Sequence, residues 1–281
     1  MKYRRSKTMK TTKILASMAF ALIALTGCDE VAEQDRLVYV KPPEVARCTV
    51  IEDFTGQRCV NCPAASAEIE KLQEHYGADT LIAVGIHSGP FGKMPNGRLL
   101  SLATETGNQY YDYWKIEAQP GAMINRGAPV YDPQQYGALV SQALSQSTPV
   151  TLNIERTYDE ATRQLTVKVS GSTVEDVNCK LQLWLTEDGI VDMQMLGDGS
   201  TNREYVHNHV FRTSMTNDAF GDTFNLTATG GEKEVSYTTT LADGWNPSKM
   251  HIVAFVFDSK EILQATRKPI FGKLEGLTPI P

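Results

Sequence analysis

Two cysteines separated by two residues, Cys59 and Cys62, have the clearest chemistry in this sequence. They follow a predicted buried strand at 48–54 and precede a segment of good helix formers at 63–76. A helix N-terminus carries partial positive charge and free backbone N–H groups, which stabilise a thiolate and lower the pKa of a cysteine placed there. The pattern predicts a thiol–disulfide site in which Cys59 is the nucleophile and Cys62 resolves the mixed disulfide.

Two other interpretations of the Cys59–Cys62 pair stay open on the sequence alone. The pair also fits an inert disulfide that links the start of a helix, and we weigh this equally with a redox-active pair. A zinc site is a third and less favoured interpretation, because the chain has no second Cys-x-x-Cys motif and no histidine pair at a suitable spacing. His207 and His209, which share a face if extended, are weak candidates for metal ligands. We expect no cofactor and no metal.

The segments around the cysteines predict the elements that position them. An almost continuous apolar run at 80–87 is typical of an interior parallel strand, so strand, helix and strand form a βαβ unit. Short helical pieces at 98–106 and 109–116 follow, and then a turn led by Pro120. A last helix is predicted at 134–145, after an Asp-Pro cap.

The pattern changes after residue 147. Apolar residues alternate with polar ones at 150–154, 165–169 and 181–185, and further strands are predicted at 252–257 and 262–266. Short alternating strands with turns between them, and no helices, are typical of an antiparallel sandwich of immunoglobulin-like type. We therefore assign 148–281 to an immunoglobulin-like β-sandwich domain.

The N-terminus has the layout of a secretory signal. Several lysines and arginines precede an apolar stretch at 14–25, which ends in Leu25-Thr26-Gly27-Cys28. This ending resembles a bacterial lipobox, which implies cleavage before Cys28 and acylation of that cysteine. We predict a signal peptide at 1–27, with translation starting at Met1 or Met9, and an acylated tether at 28–47. The predicted partner is a membrane, held through the lipid on Cys28.

An exported protein meets an environment in which disulfides persist. With Cys28 used for lipid, four cysteines remain. A Cys48–Cys179 bridge between the two predicted domains and a pair of free thiols are both open.

Charge excludes one class of partner. The formal net charge is −6, and no basic cluster occurs beyond the N-terminus, so we expect no nucleic-acid binding. No later stretch has the ~18 apolar residues of a membrane helix.

The chain from 48 to 147 resembles the thioredoxin superfamily. Cys59-Val60-Asn61-Cys62 carries the resemblance, together with Pro120, which falls where that superfamily has a cis-proline facing the cysteines. The chain lacks the superfamily's Trp before the cysteines and Gly-Pro between them. The predicted fold class is therefore an α/β thioredoxin-like domain at 48–147 followed by an all-β immunoglobulin-like sandwich.

A second resemblance covers nearly the whole mature chain. The lipobox, the stretch 51–63, the segment 120–126 and the stretch 205–210 together are similar to a Bacteroidetes family of outer-membrane lipoproteins named for a size of twenty-eight kilodaltons. The resemblance implies an outer-membrane protein on the periplasmic or cell-surface face, with a binding or adhesion role towards a protein or host surface. It implies no established enzymatic activity. The alternative function is a membrane-tethered thiol–disulfide oxidoreductase that uses Cys59 and Cys62.

Overall fold

The structure is a computed structural model that describes residues 45–271 of the 281-residue chain. The predicted signal peptide at 1–27 and most of the tether at 28–47, including Cys28, lie outside the described residues. Within 45–271, no helix has the length and apolar character needed to cross a membrane.

The described residues are mostly β-strand. The strands are β1 Val45–Ala46, β2 Thr49–Thr55, β3 Leu81–His87, β4 Gly121–Ile124, β5 Ser147–Thr148, β6 Val150–Asp159, β7 Gln164–Thr173, β8 Lys180–Glu187, β9 Ile190–Met195, β10 Thr201–His207, β11 Val210–Ser214, β12 Asp222–Thr223, β13 Lys233–Thr240, β14 Met250–Phe257 and β15 Ile262–Pro269. The helices are α1 Cys62–Tyr76, α2 Glu105–Tyr113 and α3 Tyr136–Leu144.

One large mixed sheet organises the fold. Its strand order is β15-β14-β8-β11-β3-β2-β4, and β12 pairs with β8. The pairs β2–β3 and β3–β11 are parallel and the other pairs are antiparallel. A second sheet, β13-β7-β6, packs its apolar face on β8 and β14 of the large sheet.

The predicted fold class is wrong. It placed a thioredoxin-like α/β domain before a separate immunoglobulin-like sandwich, but β2, β3 and β4 share one sheet with β8, β11, β14 and β15. The connection is the parallel pairing of Val210 with Gly85, which joins positions far apart in the chain. Local periodicity shows that a strand is buried, but it does not show which strand pairs with its edge. The position between 147 and 148, predicted as a domain boundary, lies inside strand β5.

The local βαβ prediction is confirmed. β2 and β3 are parallel in register from Thr49 opposite Leu81 to Thr55 opposite His87, and α1 connects them. Pro63 occupies the first turn of α1, where a missing N–H is tolerated, and the helix ends at Gly77, whose φ of 86° favours glycine.

Each face of β2 contributes to a different core. Val50 and Phe54 pack with Tyr110 of α2 and with the aromatic residues of the large sheet. Ile51, on the opposite face, packs under α1 and α3. Both faces are covered, which explains why β2 and β3 are fully buried along their length.

Candidate functional site: the Cys59–Cys62 disulfide

Cys59 and Cys62 form a disulfide at the start of α1, with their Cα atoms 5.4 Å apart. A tight turn precedes the helix, and within it Cys59 N–H donates to the Gly56 carbonyl at 2.9 Å. A side chain at Gly56 would place its Cβ 2.5 Å from the backbone of Phe91, so this turn requires glycine. The strand, the turn and the helix together hold both sulfur atoms at the carboxyl end of β2.

The hairpin of β9 and β10 covers the disulfide. Gln194 of β9 donates from Nε2 to the carbonyl oxygens of Cys59 at 2.9 Å and Met195 at 3.0 Å. Met195 N–H also donates to the carbonyl of Gln57 at 2.9 Å. Cys59 and Cys62 are each only 2% exposed, whereas Val60 between them is 36% exposed. A reaction partner therefore meets the turn first and reaches the sulfur atoms only if the hairpin moves.

Asp53 is the charged residue that distinguishes this site. It lies on β2, six residues before Cys59, and lines the same cavity as Cys62. Its carboxyl group is buried, and Oδ1 has no hydrogen-bond partner among the described residues. Burial raises the pKa of Asp53 from its usual value to about 7. Asp53 therefore exchanges a proton near neutral pH in the cavity that Cys62 also lines.

The cavity next to Cys62 is small and polar. Its volume is about 40 Å³, which is enough for a water molecule, and Thr55, Ser66 and Tyr205 line it together with three histidines. Water in this space would allow a proton to pass between Asp53 and the sulfur of Cys62.

Two of the three histidines in the cavity wall contact each other: His87 at the end of β3 and His207 at the end of β10. Their ring centroids lie 5.2 Å apart. Burial, together with the neighbouring His207, lowers the pKa of His87 to about 3. Burial also lowers the pKa of His207. Both rings are therefore neutral at pH 7, whereas the pKa of Asp53 in the same wall lies near neutrality.

The Gln119–Pro120 peptide bond is cis, as the superfamily resemblance implies. Gln119 Nε2 donates to the carbonyl oxygens of Thr55 at 2.7 Å and Ser88 at 3.0 Å. These two bonds hold the segment against the carboxyl ends of β2 and β3, the end of the sheet where the disulfide also lies.

The structure does not bring His207 and His209 together on a common ligand. Both line the disulfide cavity, but His207 contacts His87, whereas His209 Nδ1 lies 3.0 Å from a carboxylate oxygen of Asp188. Within 45–271, no group of three or more His, Cys, Asp or Glu side chains is arranged to hold a metal ion.

Among the described residues, Cys48 and Cys179 are free thiols. Cys48 packs beside the core under α2, whereas Cys179 belongs to the core between the two sheets, so the bridge left open by the sequence is not formed. Cys179 Sγ donates to the carbonyl of Phe224 at 3.1 Å, and burial raises its pKa to about 11. Cys28, the predicted lipidation site, lies outside the described residues.

Sequence reasoning missed Asp53 and Gln194. A signal for Asp53 was available, because two adjacent carboxylates interrupt a strand that is otherwise buried and uncharged. No local signal identifies Gln194, since its contact with Cys59 joins positions 135 residues apart.

The family model described as "Outer membrane protein Omp28" matches residues 107–271, more than half of the chain. The chain belongs to this family. It is therefore an outer-membrane protein, and the family resemblance stated from the sequence is confirmed. Among curated proteins, none matches the chain.

Solved structures show which fold the Omp28 chain shares. HBP35 of Porphyromonas gingivalis is 17% identical, with 86% of this chain and 82% of that chain covered and a TM-score of 0.65. At this identity the likeness shows a common fold. Spo0M, a sporulation control protein from Bacillus subtilis, is 14% identical over 45% of this chain and 49% of its own, with a TM-score of 0.28. β-Glucosidase 3B from Thermotoga neapolitana is 12% identical over 44% of this chain and 16% of its own, with a TM-score of 0.23. The TM-scores of these last two structures are too low to show a shared fold.

Proposed function

We propose that this outer-membrane protein carries out thiol–disulfide exchange, with the Cys59–Cys62 disulfide as the reacting group and a polypeptide dithiol as the substrate. The observation that supports this most is the buried carboxyl of Asp53, which has a pKa of about 7 and lines the cavity next to Cys62. An inert disulfide has no use for a buried acid without a cationic partner, which is costly to fold. A reacting disulfide does, because its leaving thiolate needs a proton.

The exchange runs in two steps. A substrate thiolate attacks Cys59 Sγ, the bond between the two cysteines breaks, and Cys62 leaves as a thiolate that takes the proton of Asp53. The second substrate thiolate then attacks the substrate sulfur of the mixed disulfide and releases the Cys59 thiolate. The substrate loses two electrons and gains a disulfide, and the site becomes a dithiol. The two protons of the substrate thiols are accounted for: one restores the proton that Asp53 gave to Cys62, and the other goes to Cys59.

The start of α1 favours this order of events. The partial positive charge and the free N–H groups there stabilise a developing thiolate. The exposed Val60 also marks the turn as the part of the site that a substrate meets first.

Trapping of mixed disulfides tests the proposal. A Cys62→Ser variant of the exported full chain keeps the Cys59 thiol but has no second cysteine to release a mixed disulfide. We expect its Cys59 thiolate to attack the disulfide of the oxidised substrate, the reverse of the second step, so that partner proteins stay attached through Cys59 on non-reducing gels and are released by dithiothreitol. The control is the double variant Cys59→Ser/Cys62→Ser, which should trap nothing. Identical gel patterns for the two variants would contradict exchange through Cys59.

The membrane anchor is a separate part of the proposal. The sequence Leu25-Thr26-Gly27-Cys28 after an apolar segment, together with membership of an outer-membrane family, supports lipid attachment at Cys28. Intact-protein mass spectrometry should find acyl mass on an N-terminal Cys28, and Cys28→Ala should release the protein from membranes. A mature N-terminus beyond residue 28 would contradict the anchor.

A binding role is the second candidate, and one surface favours it. Val191 of β9 pairs with Val206 of β10, and both side chains are more than half exposed on the outer face of the hairpin that covers the disulfide. An exposed apolar pair on a hairpin suits contact with another protein. We infer that this face binds a partner protein at the cell envelope, on the periplasmic or outer surface.

The double variant Val191→Thr/Val206→Thr tests the binding role. Threonine keeps the branched shape and the strand preference of valine, so the fold is retained while the apolar contact is lost. In crosslinking on intact cells we expect the partner bands to disappear, while Val174→Thr, at an exposed valine elsewhere, keeps them. Retention of all bands in the double variant would contradict binding through this face.

A further inference from the structure

A second cavity lies on the opposite face of β2 from the disulfide. Its volume is about 470 Å³, within the range of small-molecule sites, and its lining combines aromatic with polar and charged side chains. The aromatic ones are Tyr113, Trp114, Phe220 and Phe257. The Tyr113 and Phe220 rings stack with centroids 4.5 Å apart, and Tyr113 is 58% exposed, so it stands at the mouth.

Arg126 also lines this cavity, and its charge is incompletely partnered. The residue is only 9% exposed, and its guanidinium carbon lies 3.9 Å from the centroid of the Phe257 ring. It donates one hydrogen bond, from Nη2 to Gln182 at 3.0 Å, although a guanidinium has five N–H donors. Its Nε lies 3.5 Å from a carboxylate oxygen of Glu52, but that contact is not a hydrogen bond.

A second donor in the cavity wall is also unsatisfied. Trp114 Nε1 is buried and has no hydrogen-bond partner among the described residues. Buried donors in folded proteins are normally paired with protein, water or ligand. Two such donors, one of them charged, in the wall of one cavity are therefore available to an acceptor on a bound molecule.

The mouth of the cavity adds positive charge. Lys180 and Lys260 both line it, and in the described part of the chain neither ammonium group has a carboxylate within salt-bridge distance. Two carboxylates line the cavity as well: Glu261 is paired with Arg47 at 2.5 Å, and Asp258 accepts hydrogen bonds from the backbone N–H groups of Lys260 and Glu261. Together with Arg126, the lining has three cations against these two carboxylates. The field at the mouth therefore favours an anion.

The backbone is shaped to place Arg126 here. Asn125 and Arg126 have φ values of 48° and 62°, a left-handed conformation that costs non-glycine residues energy. Asn125 holds this bend, because its Oδ1 accepts from Val50 N–H at 2.8 Å and its carbonyl accepts from Ile262 N–H at 3.0 Å.

We propose that this cavity binds a small carboxylic acid with a flat apolar body, such as an aromatic acid of one or two rings. The carboxylate accepts hydrogen bonds from Arg126 and Trp114, and the flat body packs between the aromatic side chains. The proposal is independent of the exchange chemistry, since Asp53 and Glu52 point to opposite faces of β2.

A pair of probes of equal shape tests the charge requirement. Calorimetric titration of the full chain with 2-naphthoate should show binding, and the neutral 2-naphthamide should bind at least about 10-fold more weakly. Equal affinities would overturn the carboxylate assignment. Absence of binding by both compounds at millimolar concentration to the folded protein would overturn the cavity assignment.

Three variants locate the binding. Trp114→Phe keeps a ring but removes the donor, and should weaken 2-naphthoate about 5- to 10-fold. Thr223→Trp, at an exposed lining position, should fill the mouth and abolish binding without disturbing the core. Tyr131→Ala, at an exposed tyrosine that does not line the cavity, is the control and should leave the affinity unchanged. Binding that survives Thr223→Trp would overturn the proposed location.

Discussion

Two adjacent carboxylates on β2, Glu52 and Asp53, are buried in opposite electrostatic settings. Glu52 faces the aromatic cavity, where burial raises its pKa while the nearby Arg126 opposes the rise. Asp53 faces the disulfide cavity with no cation beside it, so burial alone raises its pKa to about 7. Adjacent residues of one strand therefore have different roles: Glu52 is the partner of a buried cation, whereas Asp53 carries a proton. The neighbouring charge decides which role a buried acid takes.

The largest expected effect comes from breaking the pair on the Glu52 side. Arg126→Ala leaves Glu52 buried without its cation and removes the stacking on Phe257, so we expect a loss of about 3–5 kcal/mol in the free energy of unfolding. Urea denaturation measures this loss. Lys168→Met is the matched control, because it removes an exposed cation that contacts two exposed glutamates, and its effect should be far smaller. Equal losses in both variants would contradict the pairing of Glu52 with Arg126.

The next effect is a pH dependence on the Asp53 side. A carboxyl whose pKa is higher in the folded state stabilises the fold at low pH, and this contribution falls as pH rises from about 4 to about 7. Relative to Asp53→Asn, the wild type should therefore lose up to about 4 kcal/mol of unfolding free energy across that window. Chemical denaturation at pH 4 to 8 measures the difference. A constant difference between the two proteins would show that the pKa of Asp53 is not raised.

A smaller effect concerns the hairpin over the disulfide. Gln194→Leu removes the donor to the Cys59 carbonyl, and a lost buried hydrogen bond costs about 1–3 kcal/mol. We expect faster reduction of the disulfide by dithiothreitol, by about 5- to 100-fold, because the cover opens more often. Gln142→Leu, at an exposed glutamine of α3, is the control. An unchanged rate in Gln194→Leu would mean that the hairpin does not limit access.

The smallest effect is the loss of the disulfide itself. It closes a loop of only a few residues, so the chain-entropy account predicts a stabilisation of about 2 kcal/mol. Cys59→Ser/Cys62→Ser should lower the melting temperature by a few degrees and leave the fold intact. Loss of folding in this variant would favour a structural disulfide over an exchanging one.

Local chemistry was predictable from the sequence, but long-range pairing was not. The Cys59–Cys62 spacing, Pro63 and the apolar run at 80–87 each identify a structure within a few residues, and the βαβ unit follows from them. The pairing of Gly85 with Val210 has no local signature, so the single large sheet was missed and the fold class was wrong.

The two cavities show the same limit. Asp53 is visible as a charge inside a buried strand, but its role depends on which residues lie across from it. In the sequence, Arg126 is an ordinary arginine after a turn. Its packing against Phe257 could not be predicted, because the two positions are 131 residues apart in the chain. Chemistry carried by one short motif is readable from the sequence, whereas chemistry assembled across the sheet requires the structure.

The most direct test of the exchange mechanism compares wild type with Asp53→Asn in the rate at which dithiothreitol reduces the Cys59–Cys62 disulfide, from pH 5 to pH 9. Taking the ratio of the two rates cancels the ionisation of dithiothreitol. Below pH 7 the protonated Asp53 supplies the proton to the departing Cys62, so wild type should react about 100-fold faster or more, and the ratio should fall towards one above pH 8. A ratio that stays constant across this range would contradict the role of Asp53 and, with it, the proposed exchange chemistry.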